Sequence, residues 1–165
     1  YTGIDPNEAL IDGYKAQIKA YDVKDKTFNM IQGCAEEVRL EKESFDTVFT
    51  SPPYFNIEKY TKEENQSFKK FKKLEDWLEK FLFKSLENAW YALENGGHLI
   101  INISDVYSNH RINKICDPMF DYMATLEGSE YQGTMGLRMA KRPNSKAGEI
   151  DGVFAEPIFI WRKVL

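Results

Sequence analysis

Ser51-Pro52-Pro53-Tyr54 constrains this 165-residue chain more than any other feature. The tetrapeptide directly follows Phe45-Asp46-Thr47-Val48-Phe49-Thr50, an apolar run of strand length, so it sits where a buried strand must end. Proline has no N–H for a ladder and holds φ near about −65°, so two in succession stop the strand and stiffen the turn beyond it. A hydroxyl precedes this rigid turn and an aromatic ring follows it. Such a turn can hold a planar group carrying an NH2: Ser51 and a proline carbonyl accept its hydrogens, and Tyr54 covers its face. The plainer alternative is a strand-ending turn with a packed tyrosine. What surrounds the motif separates the two.

The flanking sequence alternates apolar runs with segments of helical period, the pattern of βαβ units around a largely parallel sheet. Residues 1–5 predict a short strand ending at Asp5. Pro6 and Asn7 then open a helix through Ala20, with Leu10, Ile11, Tyr14 and Ile18 on one face. Residues 27–32 predict the next strand, turned by Gly33, and residues 44–50 the third. Glu36, Glu37, Glu41 and Glu43 between them read as a solvated acidic face. Residues 55–73 are lysine-rich and weakly periodic and predict a long loop, a kind of segment that is usually functional or disordered.

Leu74, Trp77, Leu78, Phe81, Leu82, Leu86, Ala89, Trp90 and Leu93 recur at helical spacing, and Asn95-Gly96-Gly97 ends that helix. Residues 98–104 form a near-continuous apolar run, expected as a strand buried on both faces. Residues 113–126 predict a helix that Pro118 interrupts or kinks. Residues 132–141 and 155–163 predict an antiparallel pair at the sheet edge.

Length implies one domain with a proper core. The formal charge of −4 leaves room for nucleic acid only at a local basic patch. No apolar stretch reaches membrane-spanning length and no signal-peptide pattern opens the chain, so a cytoplasmic location is expected. Cys34 and Cys116 lack CxxC spacing and a histidine cluster, which predicts reduced thiols and no metal site. Neither follows a proline.

Ser51-Pro52-Pro53-Tyr54 after an apolar strand resembles the catalytic motif of the amino-group DNA methyltransferases, which methylate N4 of cytosine or N6 of adenine from S-adenosylmethionine. Tyr1-Thr2-Gly3-Ile4-Asp5-Pro6-Asn7 resembles that family's second strand. Gly33-Cys34-Ala35-Glu36 resembles the segment after its third strand, and Gly96-Gly97-His98-Leu99-Ile100-Ile101-Asn102-Ile103 resembles its fifth. Order and spacing match along nearly the whole chain. The resemblance implies a Rossmann-like α/β methyltransferase fold, mostly parallel with a C-terminal antiparallel strand pair. It also implies Ser51, Pro52, Pro53 and Tyr54 as the catalytic set, with Tyr54 stacked on a flipped base.

Asp5 and Pro6 are then expected at the cofactor ribose, and Cys34 and Ala35 at its adenine. Cys34 stands where the family often has an acid, so backbone contacts are what carry over there. Lys59, Lys62, Lys69 and Lys70, interleaved with Phe55, Tyr60, Phe68 and Phe71, are expected to meet DNA phosphates and a displaced strand, as are Lys141 and Arg142. A solvated loop explains the same lysines equally well.

The chain contains no GxG after an apolar strand, whereas the family wraps the methionine end of the cofactor with such a turn. Residues 1–165 therefore resemble a single catalytic domain that is N-terminally truncated, cut immediately after the first strand and its helix, so that the first strand is missing. Ladder groups left open beside that strand would offer a route to self-association. Serine before Pro-Pro favours cytosine N4. Adenine N6 remains an alternative, since those enzymes usually carry Asp or Asn there. Methylation of RNA or protein amides, and a non-catalytic domain binding DNA or a partner, are the further readings.

Overall fold

A computed structural model describes residues 1–21, 24–58, 63–108, 110–138, 149–150 and 153–165. The chain opens with β1 (Thr2–Asp5), α1 (Glu8–Tyr21) and β2 (Asn29–Gln32), and β1 pairs parallel with β2 from Thr2↔Asn29 to Asp5↔Gln32. The turn into α1 is built by side chains. Asp5 Oδ1 accepts the Asn7 N–H at 2.8 Å, and Asn7 Oδ1 accepts the Ala9 N–H at 3.1 Å. Of the apolar face expected on α1, Ile11 is buried but Leu10 is 44% exposed.

The main sheet has the order β3-β4-β9-β7. Strand β3 (Phe45–Thr50) runs parallel to β4 (Leu93–Asn102), with Val48↔Leu99 and Thr50↔Ile101 in register. Between them lie the short α2 (Ser67–Lys70) and a continuous helix made of α3 (Leu74–Trp77), a π-helical turn over Leu78–Leu82, and α4 (Phe83–Ala92). The π turn brings Leu78, Phe81 and Leu82 inward together, and the Ser85 hydroxyl donates to the Phe81 carbonyl at 2.8 Å. After β4 come the hairpin of β5 (Val106–Ser108) and β6 (Arg111–Asn113), α5 (Cys116–Thr125) and β7 (Ser129–Arg138). The two-residue β8 (Glu149–Ile150) and β9 (Val153–Lys163) complete the described chain, and β9 is antiparallel to β4, β7 and β8.

The core lies on one side of this sheet. Trp77, Leu82, Leu86, Leu99, Ile101, Met119 and Met123 are each wholly buried, with Phe159 and Trp161 nearly so. Aromatic edges knit α5 to the sheet: Phe120 meets Phe159 at 5.2 Å, Trp161 at 5.1 Å and Tyr131 at 4.9 Å between ring centroids. Gly97 lets β4 approach β3, because a Cβ there would stand 2.8 Å from the Asp46 carbonyl oxygen.

The structure corrects several expectations from the sequence. Strand β4 is buried on alternate residues, Leu99 and Ile101, while His98 and Ile100 are half-buried; its second face shares the register of exposed Phe49 and Met135. Pro118 does not kink α5, since it lies in the first turn, where an N–H has no intrahelical partner to lose. Asp105 caps that helix from outside it, its Oδ1 accepting the N–H groups of Ile115 (2.8 Å) and Cys116 (2.9 Å). The β5–β6 hairpin was not foreseen. Segment 55–73 is also more than a loop: Phe55 is buried against Trp77, at 5.9 Å between centroids, and Phe71 packs on the core, so neither ring is offered to a nucleic-acid strand. Residues 59–62 and 139–148, which include Lys59, Lys62, Lys141 and Arg142, lie outside the described residues.

Among the described residues the second edges of β1 and β3 have no partner strand. The two sheets are joined through connections instead. Asn65 Nδ2 donates to the Pro6 carbonyl at 2.9 Å, and Asn88 Nδ2 to the Ala35 carbonyl at 2.9 Å.

Lys163 is buried in the main body, and its ammonium donates to the carbonyls of Trp90 (3.0 Å) and Leu93 (2.8 Å) at the end of α4. A cation there also meets the negative end of the helix. Lys163→Met should cost about 2 kcal/mol of stability, read as a lower urea midpoint at unchanged slope. A midpoint equal to the parent's would mean that water satisfies both carbonyls.

Candidate active site

Two groups of side chains gather at the carboxyl ends of the parallel strands, the edge at which open α/β sheets bind ligands. The first follows β3. Ser51 is exposed, Pro52 buried, and Pro53 and Tyr54 half-buried. The Ser51 hydroxyl donates to Asn102 Oδ1 at 3.3 Å, and Asn102 Nδ2 donates to the Pro157 carbonyl at 3.1 Å. The Tyr54 N–H is taken by Glu58 Oε2 at 2.9 Å, and its phenol oxygen accepts the Ser104 hydroxyl at 3.4 Å. Burial pushes the Tyr54 phenol above its ordinary value, the Ser104 hydrogen bond opposes that, and the charges of Glu156 and Glu58 add to it. Tyr54 is therefore a neutral ring, one side packed on the core and anchored at both its backbone and its hydroxyl.

The second group follows β1 and β2. Asp5 Oδ1 is engaged by the Asn7 N–H and Oδ2 by the Tyr14 hydroxyl at 2.9 Å. Hydrogen bonding to Asp5 is the main reason the Tyr14 phenol is raised, with burial next. A carboxylate has about four lone-pair sites, so Asp5 keeps capacity for further donors. Cys34 is buried, its thiol 3.6 Å from the Asn65 carbonyl, and the thiol is pushed up by burial and then by Glu36. The Cys34 carbonyl already accepts the N–H groups of Glu37 and Val38, and that of Ala35 accepts Asn88. What this segment can offer a ligand is backbone N–H groups. Asn65 binds both Pro6 and Cys34 and belongs to the connection that leaves Tyr54, so it ties the two groups together.

A cavity of about 490 Å³ runs back from Asp5 beneath α1, lined by Tyr14, Ile18, Tyr21, Phe28 and Met30 among others. It shares Asp5 and Tyr14 with the second group, whereas Pro6, Cys34 and Ala35 do not line it.

The basic residues have a different setting from the one expected. Lys70 Nζ lies 2.6 Å from Glu36 Oε1 and also bonds Glu37. Burial would lower this ammonium, but the two carboxylates outweigh it and hold it above its ordinary value. Glu36 is nearly inaccessible in this pair, against the expected solvated face. Cys34, Glu36 and Glu37 bring their ligand atoms within 4.8 Å of one another, and the cation beside them is Lys70. Lys69 is paired with Glu64 at 2.7 Å. The positive charge of both lysines is thus compensated within the chain.

Sequence reasoning missed Asn65, Asn102 and Ser104. The available signal for Asn102 is an amide directly after the apolar run Leu99-Ile100-Ile101. Asn65 carried none.

The architecture is the Rossmann-like α/β fold of the S-adenosylmethionine-dependent methyltransferases. A methyltransferase of that class from Methanosarcina mazei superposes with a TM-score of 0.60 at 10% identity, over 99% of this chain and 82% of its own. A Thermus thermophilus protein named as a DNA modification methylase, solved with S-adenosyl-L-methionine, gives a TM-score of 0.58 at 22% identity over 81% of this chain and 54% of its own. Its selenomethionine form gives 0.56 at 23%. The chain thus spans about half the length of the Thermus structures. No curated protein sequence matches it. The family model for N6/N4 DNA methylases matches residues 45–164, and the chain belongs to that DNA methylase family.

Cys116 tests the electrostatics beside this site. Its thiol, 3.9 Å from the Ile103 carbonyl, is pushed up to about 12 by burial and by Asp105. At pH 8 about one molecule in 10⁴ would carry the thiolate, the reactive form. Cys116 should resist iodoacetamide in the folded protein and react promptly in denaturant, with alkylation mapped by mass spectrometry. Rapid modification of the native chain would show that the site is wetter than the geometry implies.

Proposed function

We propose that these residues form the catalytic region of an amino-group DNA methyltransferase that uses S-adenosylmethionine, with cytosine N4 as the favoured target. The observation that carries the reading is the strand-end turn itself: an exposed Ser51 hydroxyl, a rigid Pro52-Pro53 and an anchored neutral Tyr54 ring, in a chain of the DNA methylase family.

The exocyclic amine of a base is a poor nucleophile, because its lone pair is delocalised into the ring. Ser51 and the Pro52 carbonyl accept its hydrogens and favour the tetrahedral nitrogen, an interaction that strengthens as charge develops. Tyr54 stacks on the extruded base. S-adenosylmethionine, when bound, would supply a methyl on sulfonium sulfur: the carbon–sulfur pair would stay with sulfur, the nitrogen lone pair would form the new bond, and the methylated amine would give up one proton to water. Asp5 fits the ribose diol, since its carboxylate keeps lone pairs beyond those used by Asn7 and Tyr14. The N–H groups around Cys34 and Ala35 suit the acceptor nitrogens of adenine. Serine in place of Asp or Asn before Pro-Pro is what favours cytosine; adenine N6 is the alternative.

DNA is the proposed partner, its phosphates met by Lys59, Lys62, Lys141 and Arg142 more than by the compensated Lys69 and Lys70. No helix of the described residues is long and apolar enough to cross a membrane.

In an active full-length form of the enzyme, Tyr54→Ala should lower methyl transfer by about 1–3 kcal/mol of transition-state stabilisation while leaving S-adenosylmethionine affinity nearly unchanged. Intact turnover with weakened cofactor binding would assign Tyr54 to the other pocket.

Residues 1–165 contain no GxG turn after an apolar strand, and among the described residues the open edges of β1 and β3 are those an additional parallel strand would need. We expect this segment alone to bind S-adenosylmethionine weakly at best and to methylate no DNA, because misplacement by about 1 Å can cost on the order of 100-fold in rate. Transfer of labelled methyl groups to cytosine or adenine by residues 1–165 would refute the need for that strand.

A further inference from the structure

We propose that Asn102 is a positioning residue that fixes the Ser51 hydroxyl as a pure acceptor toward the target amine; the inference rests on the role of Ser51 given above. The argument is one of donors and acceptors. Asn102 is the last residue of β4, 7% exposed, with Ile158 of β9 opposite it. Thr50 pairs with Ile101, so the chain leaving β3 carries Ser51 past Asn102 on its other side.

An asparagine amide offers an acceptor at one end and two donors at the other. Its orientation here is forced. The Pro157 carbonyl can only accept, so the Asn102 NH2 must face it, at 3.1 Å. Rotating the amide would set two oxygens against each other in a buried place. Oδ1 is therefore the atom that faces Ser51, at 3.3 Å, and because Oδ1 can only accept, the serine must donate. Its single hydrogen is used inside the protein. Ser51 is exposed on its other side, and what it presents there is lone pairs.

The consequence for an incoming NH2 group is direct. A free hydroxyl rotates, and in part of its orientations points its own hydrogen at the amine, where donor meets donor. Asn102 removes those orientations. The serine then behaves toward the base as a side-chain carbonyl would, without carrying a charge.

The test is a double-mutant cycle in the active full-length enzyme, with kcat and the KM for S-adenosylmethionine measured for Ser51→Ala, Asn102→Leu and the pair. Asn102→Leu should lower kcat about ten-fold with the cofactor KM unchanged. It should add almost nothing once Ser51 is already alanine, because it acts through that hydroxyl. Where the leucine variant does not fold, judged by its thermal transition, Asn102→Ala is read in the same way. Equal losses of kcat in both backgrounds, or a loss expressed in KM, would overturn the positioning role while leaving Ser51 in place. Full activity of Ser51→Ala would instead overturn the reading of Ser51, and this inference with it.

Discussion

The parallel pairing of β3 with β4 is the contact on which the candidate site depends. It joins a strand that must stop, because two prolines follow it, to one that runs on to Asn102, with Ser104 two residues beyond its end. A helical crossover connects them, and its buried residues, Trp77, Leu82 and Leu86, lie in one cluster with Leu99 and Ile101 of β4. In that register the Ser51 hydroxyl meets Asn102 and the Tyr54 hydroxyl meets Ser104. The chemistry at the strand ends is thus a product of how the core aligns two backbones.

Around this body the chain uses polar side chains to close what the ladders leave open. Asp105 caps α5 from the far end of β4, and Lys163 caps α4 from the end of β9. Asn65 and Asn88 hold the β1–β2 unit to the rest through carbonyls of its loops. Lys163 is the buried one among them, and its ammonium finds two carbonyls, as low-dielectric surroundings require. The ion pair of Lys70 with Glu36 and Glu37 belongs to the same system, which turns lysines that could have faced a nucleic acid into internal fasteners.

Much of this was legible in the chain itself. The long helix over residues 74–92, the parallel strands and the final antiparallel pair follow from hydrophobic period and from Gly and Pro positions. Asp5 and Ser51 stood out because each sits where a strand must end. Asn65 and Ser104 did not, because a lone polar residue in a loop carries no periodic signal. The burial of Phe55 and the inward packing of Phe71 were also invisible, since an aromatic beside lysines reads the same whether it packs inward or waits for a base.

The sequence by itself determined where β3 stops and that a long helix precedes β4, because proline chemistry and apolar spacing act over a few residues; it did not determine that helix's end, which falls at Ala92 while Asn95-Gly96-Gly97 lies within β4. It also determined the resemblance to amino-group methyltransferases, which lies in short motifs kept in order. Only the tertiary structure decided which faces are buried, which charges cancel and which hydrogen-bond donors are already used. Those outcomes depend on pairs such as Ser51 and Asn102, Lys70 and Glu36, or Lys163 and Trp90, far apart in the chain. Only the register of the folded sheet and the packing of its helices bring such partners within reach.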